Sequence, residues 1–330
     1  MDKKIKTIGV LTSGGDAPGM NVAIRAVVRT AINRGIKVKG IRHGFRGLLD
    51  KPDIFELNNF AVSDIIDRGG TILYTARCEQ FKTEEGMQIA IKNCKLFGID
   101  GIVVIGGDGS FRGAADLSMR GILCVGIPGT IDNDICSSDY SIGYDTALDT
   151  IVEMVDRISD TSQSHERCTV VEVMGRGAGW LALESGIAVG ASVILVPEFD
   201  FDFEKDVIDK IIQAREKGKK DFIIIVAEGV VHNKKTSVEE MANNICAGTN
   251  IDTRSSVLGH VQRGGSPTVR DRIIGSQMGY KAVDLLSAGI GNRVVVMKNN
   301  KIKDYDIFES QKMKKPLDKD LYLIANEINK

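Results

Sequence analysis

Proline is scarce in this chain, 6 residues in 330 against 36 glycines, so the turns are tight rather than Pro-rich and nothing marks a disordered tract. Net charge is nearly absent as well. A formal value of -1 leaves no overall basic field, which argues against nucleic acid or anionic membrane as the main partner and makes any anion site local. The six cysteines, Cys78, Cys94, Cys124, Cys136, Cys168 and Cys246, include no C-x-x-C pair and no zinc-like spacing with the four histidines. They read as reduced core or surface thiols. The apolar run 8–11 behind Lys3, Lys4 and Lys6 is too short for a signal peptide, and no later run is long enough to cross a bilayer; the expected location is the cytoplasm.

What is present is an ordinary globular composition, 43% hydrophobic and 26% charged, in a chain too long for one hydrophobic core. Two domains are expected. Residues 5–11 read as a buried strand, followed by a Gly-rich loop at 12–19 and a helix at about 21–34. A second strand is expected at 36–41, and a helix at 83–97 with Thr83 as its N-cap. Strands at 101–105 and 122–127 flank a helix at 109–120. A long amphipathic helix at 146–161 then opens a second alternating stretch, with strands at 169–174, 193–196 and 222–227. The chain closes with a helix at 270–287 and a strand at 293–297. Apolar strands alternating with helices imply parallel sheets covered on both faces, with ligands beyond the carboxyl ends of the strands.

The most informative stretch is 103–110, where a β-branched run breaks into Gly106, Gly107, Asp108, Gly109 and Ser110. Backbone N–H groups at the start of the following helix, together with its dipole, suit a phosphate. Asp108 beside a polyphosphate would need a cation between them, and Mg²⁺ takes one or two carboxylates plus phosphate oxygens. An ordinary strand-to-helix turn, with glycines serving φ > 0 and Asp108 as a cap, fits the stretch as well. The second acid-rich strand end, with Thr130, Ile131, Asp132, Asn133 and Asp134, tips the balance, although Asx caps alone would explain it in isolation. Phosphoryl transfer needs a metal carboxylate, donors on the moving group and a carboxylate for the incoming hydroxyl's proton, roles open to Asp108, Thr130 and Asp132.

Five stretches in order, residues 9–21, the Asp108 loop, 128–134, 171–176 and 258–267, resemble the bacterial-type 6-phosphofructokinases over nearly the whole chain. The resemblance implies an α/β fold of two doubly wound, mostly parallel αβα domains. They would be discontinuous, with 1–142 and 260–310 binding nucleotide and 143–259 and 311–330 binding sugar phosphate. It implies ATP at Gly15, Arg77, Cys78, Gly107, Asp108, Gly109 and Ser110, with Asp108 holding Mg²⁺. Asp132 would be the general base, with Thr130, Arg176 and Arg77 on the transferring phosphoryl group and Asp134 as a further catalytic carboxylate. The sugar phosphate would meet Thr130, Ile131, Asp132, Met174, Gly175, Arg176 and Glu228. Its 6-phosphate would meet Arg167, Arg254, His260 and Arg263, with Arg167 and Arg254 borrowed from a neighbouring subunit of a homotetramer, and Val261 and Gln262 would also bind the substrate.

Pyrophosphate-dependent members of that family carry Asp where this chain has Gly109 and Lys where it has Gly129, so ATP is the expected donor. An effector site for ADP or phosphoenolpyruvate would involve Arg25, Arg29, Gly190, Lys217 and Lys219. There Asn59 and Ser159 replace expected arginines, and Ser192 replaces a glutamate, so a weak response is expected. Two rivals are weaker. A dinucleotide or lipid kinase would share the Asp108 loop but leave Asp132 and 260–263 unexplained. A silent nucleotide-sensing subunit would be expected to lose Asp108, Asp132 or Arg176.

Overall fold

Strands that are buried from end to end have no face to give to water, and among the described residues four are of that kind: Thr7–Ser13, Gly101–Gly106, Val193–Leu195 and Phe222–Ala227. In the computed structural model, which describes residues 5–328, they belong to two compact units. The first is Met1–Thr146 with Arg263–Lys315, and the second is Ala147–Gln262 with Pro316–Lys330.

In chain order the first unit holds β1 (Thr7–Ser13), α1 (Met20–Asn33), β2 (Lys37–Ile41), β3 (Ile54–Leu57), α2 (Glu84–Leu96), β4 (Gly101–Gly106), α3 (Asp108–Met119) and β5 (Leu123–Pro128). The helix α4 (Tyr144–Ser164) starts in it. The second unit continues with β6 (Cys168–Val173), α5 (Trp180–Ala188), β7 (Val193–Leu195), α6 (Asp209–Glu216), β8 (Phe222–Ala227), α7 (Glu228–Lys234), α8 (Val238–Thr249) and β9 (Thr253–Val257). The chain returns to the first unit for α9 (Val269–Ser287), β10 (Arg293–Lys298), β11 (Lys301–Asp306) and α10 (Ile307–Ser310). It finishes in the second with α11 (Lys319–Ile328).

The first sheet runs β11-β10-β5-β4-β1-β2-β3, parallel except at its edges, where β3 and β11 pair antiparallel with their neighbours. The order reverses between β1 and β4, and such a switch point leaves a crevice beyond the strands' carboxyl ends. Both Gly-rich loops open there. The second sheet, β7-β8-β6-β9, is wholly parallel, so residues following β6, β8 and β9 emerge on one side.

Local chemistry accounts for the helix that leads into β4. Thr83 Oγ1 accepts from Gly86 N–H at 3.1 Å, Glu84 and Glu85 meet the positive end of α2, and Gly98 takes φ +65° beyond its last turn. Phe111, 2% exposed, anchors the first turn of α3 in the core, and a side chain at Gly126 would come within 2.7 Å of its ring. Phe111→Ala would cost about 3–5 kcal/mol and loosen the turn that carries Asp108.

The structure departs from the sequence-based expectations at several ends. α3 starts one residue earlier, at Asp108 itself. α4 begins at Tyr144 and runs to Ser164. The edge strands β3 and β11 and the half-exposed β9 carry no continuous apolar run and went unread. Among the described residues no helix is long and apolar enough to cross a membrane.

Candidate active site

In the first unit the two Gly-rich loops meet at the switch point. Gly106 makes this possible: a Cβ there would stand 2.4 Å from Ser13 O and 2.5 Å from Ser110 Oγ. Gly107 is extended, and its carbonyl accepts from Ser110 N–H at 3.0 Å as α3 begins. The N–H groups of Asp108 and Gly109 have no acceptor within a helix that starts there. The Asp108 carboxylate lies 2.7 Å from Arg112 Nη2, one turn along. A Cβ at Gly109 would meet no atom within 4 Å, so the glycine borders open space.

Segment 68–75 is tied to the β1 loop by side chains that sequence reasoning did not single out. Asn21 Nδ2 donates to Arg68 O (2.9 Å) and Gly70 O (2.8 Å), and its Oδ1 accepts from Ile72 N–H at 2.9 Å. Thr12 Oγ1 donates to Tyr74 O at 2.9 Å, and Thr75 Oγ1 donates to Gly14 O at 2.6 Å. Exposed Arg77 and half-buried Cys78 follow directly. Gly15 is also close to Arg263, whose Nη1 donates to Asp16 O at 3.1 Å.

β5 is the neighbour of β4, with Pro128 opposite Gly106, so Asp132 and Asp108 leave adjacent strand ends. Gly129 N–H donates to Gly106 O at 3.0 Å, and Thr130 N–H to Ile142 O at 3.1 Å. Thr130 Oγ1 accepts from Asp132 N–H at 3.2 Å. Ile131 is fully buried, Thr130 and Asp132 are each 7% exposed, and Asp134 is half-buried. Asn133 takes φ +50°, and its carbonyl accepts from Lys315 Nζ at 2.7 Å.

In the second unit Glu228, at the end of β8, organises the turn after β6. Its Oε1 accepts from Gly175 N–H at 3.1 Å and from Arg176 N–H. The turn is tight: Gly175 has φ +136°, Arg176 has φ +59°, and a Cβ on Gly175 would lie 2.4 Å from Ala178 O. Met174 N–H donates to the Oε1 of fully buried Gln262 at 3.0 Å. Glu172, one residue before the end of β6, has its pKa raised, first by burial and then by the Glu228 charge. Arg167 Nε lies 2.6 Å from Asp252 Oδ2, and Arg254 Nη2 lies 3.3 Å from Asp252 Oδ1. His260 and Val261 sit in the short turn Gly259–Arg263 after β9.

The expected effector residues divide between the units. Arg25 and Arg29 lie one turn apart on α1. Both have a buried Nε with no hydrogen-bond partner, and burial, then the charge of Arg29, lowers the pKa of Arg25. Asn59 is also in the first unit. Gly190 (φ +61°) and Ser192 precede β7, Ser159 lies on α4, and Lys217 and Lys219 follow α6.

A magnesium site made of protein alone is not formed: among the described residues no three His, Cys, Asp or Glu side chains cluster to hold a metal. A single carboxylate at a helix N-terminus fits an ion carried in by phosphate oxygens, which needs only one or two protein ligands.

A family model for phosphofructokinase matches residues 7–286. The ATP-dependent 6-phosphofructokinase of Clostridium botulinum strain Hall is 53% identical over 326 residues, covering 99% of this chain and 100% of that one. The Clostridium novyi (strain NT) protein of the same description is 53% identical over 321 residues, 97% of this chain and 98% of that one. Among solved structures, Pichia pastoris phosphofructokinase in the T-state matches with a TM-score of 0.87 and 38% identity, covering 99% of this chain but 37% of that longer one. A pyrophosphate-dependent phosphofructokinase from Marinobacter aquaeolei, 22% identical, shares the fold with a TM-score of 0.83, over 95% of this chain and 86% of that one. With the family model spanning most of its length and relatives matched from end to end, the chain belongs to the phosphofructokinase family.

Proposed function

We propose that this chain is an ATP-dependent 6-phosphofructokinase, transferring the γ-phosphoryl group of ATP to the 1-hydroxyl of fructose 6-phosphate to give fructose 1,6-bisphosphate and ADP. The observation that carries the reading is the pairing of Gly106 with Pro128, which sets the Asp108 loop and the Thr130–Asp132 turn side by side at the switch point. Full-length identity of 53% to enzymes so described supports the substrate pair.

The nucleotide's phosphates would lie over Gly15 and Gly107–Ser110, with Arg77 and Cys78 on its flank. Asp108 would hold the Mg²⁺ that arrives with ATP, and that ion supplies charge neutralisation between the phosphates when bound. Asp132, nearly buried and fixed through its N–H to Thr130, would take the proton of the 1-hydroxyl as it attacks. Asp134 is the second carboxylate of that loop. Thr130, Arg77 and Arg176 would face the transferring phosphoryl group, where a planar guanidinium suits phosphate oxygens. Met174, Gly175 and Glu228 would hold the sugar. Arg167, Arg254 and His260, with Val261 and Gln262 beside them, would hold its 6-phosphate. Arg263 would join them by exchanging its neutral contact with Asp16 O for the charged group.

The reading extends to a cytoplasmic homotetramer in which Arg167 and Arg254 serve a neighbour's site. Asp252, which bonds both, would present them as one pair. It extends also to a weak effector response, since Asn59, Ser159 and Ser192 supply neither the cations nor the carboxylate expected there. Steady-state kinetics of Asp132→Ser tests the core of the proposal: kcat should fall roughly 10²–10⁴-fold while fructose 6-phosphate still binds. Nearly full kcat would remove Asp132 as the base.

A further inference from the structure

Asp271, one turn into α9, is fully buried, 0% exposed. A buried carboxylate is tolerated only when its oxygens are bonded, and these are. Oδ1 accepts from the Tyr140 hydroxyl at 2.8 Å and from Gly143 N–H at 2.7 Å. Oδ2 accepts from Thr146 N–H at 3.0 Å and from the Thr146 hydroxyl at 2.6 Å. Every one of these donors lies in segment 140–146. The spacing Thr268-x-x-Asp271 is that of a capping box, yet the carboxylate does not turn back on its own helix. Thr268 N–H donates instead to Thr146 Oγ1 at 3.1 Å, which draws the same segment closer.

That segment supports the turn assigned to catalysis. Ile142, between two of the bonded residues, donates its N–H to Pro128 O at 2.9 Å and accepts from Thr130 N–H at 3.1 Å; Thr130 Oγ1 in turn accepts from Asp132 N–H. Gly143 takes φ +98°, and a Cβ there would stand 2.6 Å from that of Ala17, so the segment also abuts the first Gly-rich loop. From Asp271 to Asp132 the connection is short and runs almost wholly through backbone.

We infer that Asp271 is a positioning residue for phosphoryl transfer: by fixing segment 140–146 it sets, through the Ile142–Thr130 hydrogen bond, where Thr130 and Asp132 stand. This rests on the reading of Asp132 as the base. A carboxylate is required because four donors converge on two oxygens. Asparagine has the same shape but would turn its NH₂ against one pair of them.

The test is steady-state kinetics of full-length Asp271→Asn and Tyr140→Phe, with the active fraction counted by nucleotide titration and thermal unfolding followed in parallel. Asp271→Asn should lower kcat roughly 10- to 100-fold, the scale of a small misplacement at the reacting atoms, and leave KM for ATP within about twofold. Tyr140→Phe, which removes one of the four bonds, should show a smaller loss of the same kind. In an Asp132→Ser background Asp271→Asn should add less than about twofold, since a base that is gone has no placement to lose. A lower Tm with kcat per active site unchanged overturns the inference, as does a full multiplicative loss in the Asp132→Ser background. If Asp271→Asn does not fold, Tyr140→Phe and Thr146→Val decide, and kcat within about twofold of the parent in both overturns it. Nearly full activity in Asp132→Ser alone strikes the base assignment, and this inference with it. An inactive Asp132→Ser beside a fully active Asp271→Asn strikes only the inference.

Discussion

Asp108 and Arg112 form an ion pair of 2.7 Å across the first turn of α3, so the carboxylate proposed to hold magnesium has a cationic competitor on its own helix. The pair is exposed, 41% at Asp108 and 72% at Arg112, and exposed pairs are weak. Arg112→Gln should therefore lower the Mg²⁺ concentration for half-maximal rate by no more than about fivefold, with kcat little changed. A raised magnesium requirement would show that Arg112 assists the site.

Arg167→Ala and Arg254→Ala should raise the half-saturating concentration of fructose 6-phosphate far more than they lower kcat. Each removes a charge-assisted bond to a phosphate present in ground and transition states alike. Arg167, held at 2.6 Å by Asp252, should matter more per site than Arg254 at 3.3 Å. If the two serve a neighbour's site, mixing Asp132→Ser chains with Arg254→Ala chains should restore part of the activity. No recovery in demonstrably mixed oligomers would contradict sharing.

Much of this was legible in the chain because the catalytic loops follow strands buried along all or nearly all of their length, whose apolar runs announce themselves. Gly106 through Ser110 read correctly as a strand end and helix start. What escaped reading depends on long-range partners. Asp252 looks like a surface acid until β6 and β9 pair and bring it between Arg167 and Arg254. Asn21 looks like a helix-start residue until segment 68–72 folds onto it. For Asp271 a signal existed, the Thr268 spacing, but it points to a cap and says nothing of Tyr140 or Thr146, more than a hundred residues away. The edge strands β3 and β11 were lost for a different reason: with one side free, they need no continuous apolar run.

Glu172 carries a pH prediction. Burial, then the Glu228 charge, raises its pKa in the folded protein above the unfolded value. The folded state thus binds that proton more tightly, and the associated stability, full below the unfolded pKa, is lost as pH rises through the folded one. Glu172→Gln removes that loss. Its Tm should match or trail the parent's below the unfolded carboxylate pKa and gain on it as pH rises from there through the raised folded pKa, after which the difference levels off. A difference independent of pH would contradict the assignment.

Effector responses should be weak. Arg25 and Arg29 supply positive charge on α1, but Asn59, Ser159 and Ser192 add neither charge nor a metal ligand, and an effector shifts an equilibrium only by its differential affinity. Fructose 6-phosphate saturation should move little with ADP or phosphoenolpyruvate at fixed ATP. A strong, saturable shift by both would show that the remaining basic residues suffice.

The space at Gly109 bears on the central claim, since a Cβ there would meet no protein atom within 4 Å. The direct measurement is a coupled assay with fructose 6-phosphate, comparing ATP with pyrophosphate for the parent chain and for Gly109→Asp. The parent should turn over with ATP and not with pyrophosphate. Gly109→Asp should fold with a Tm near the parent's and lose ATP-dependent activity, its carboxylate repelling and displacing the α-phosphate. Comparable kcat/KM for the two donors in the parent, or undiminished ATP turnover in Gly109→Asp, would contradict the account.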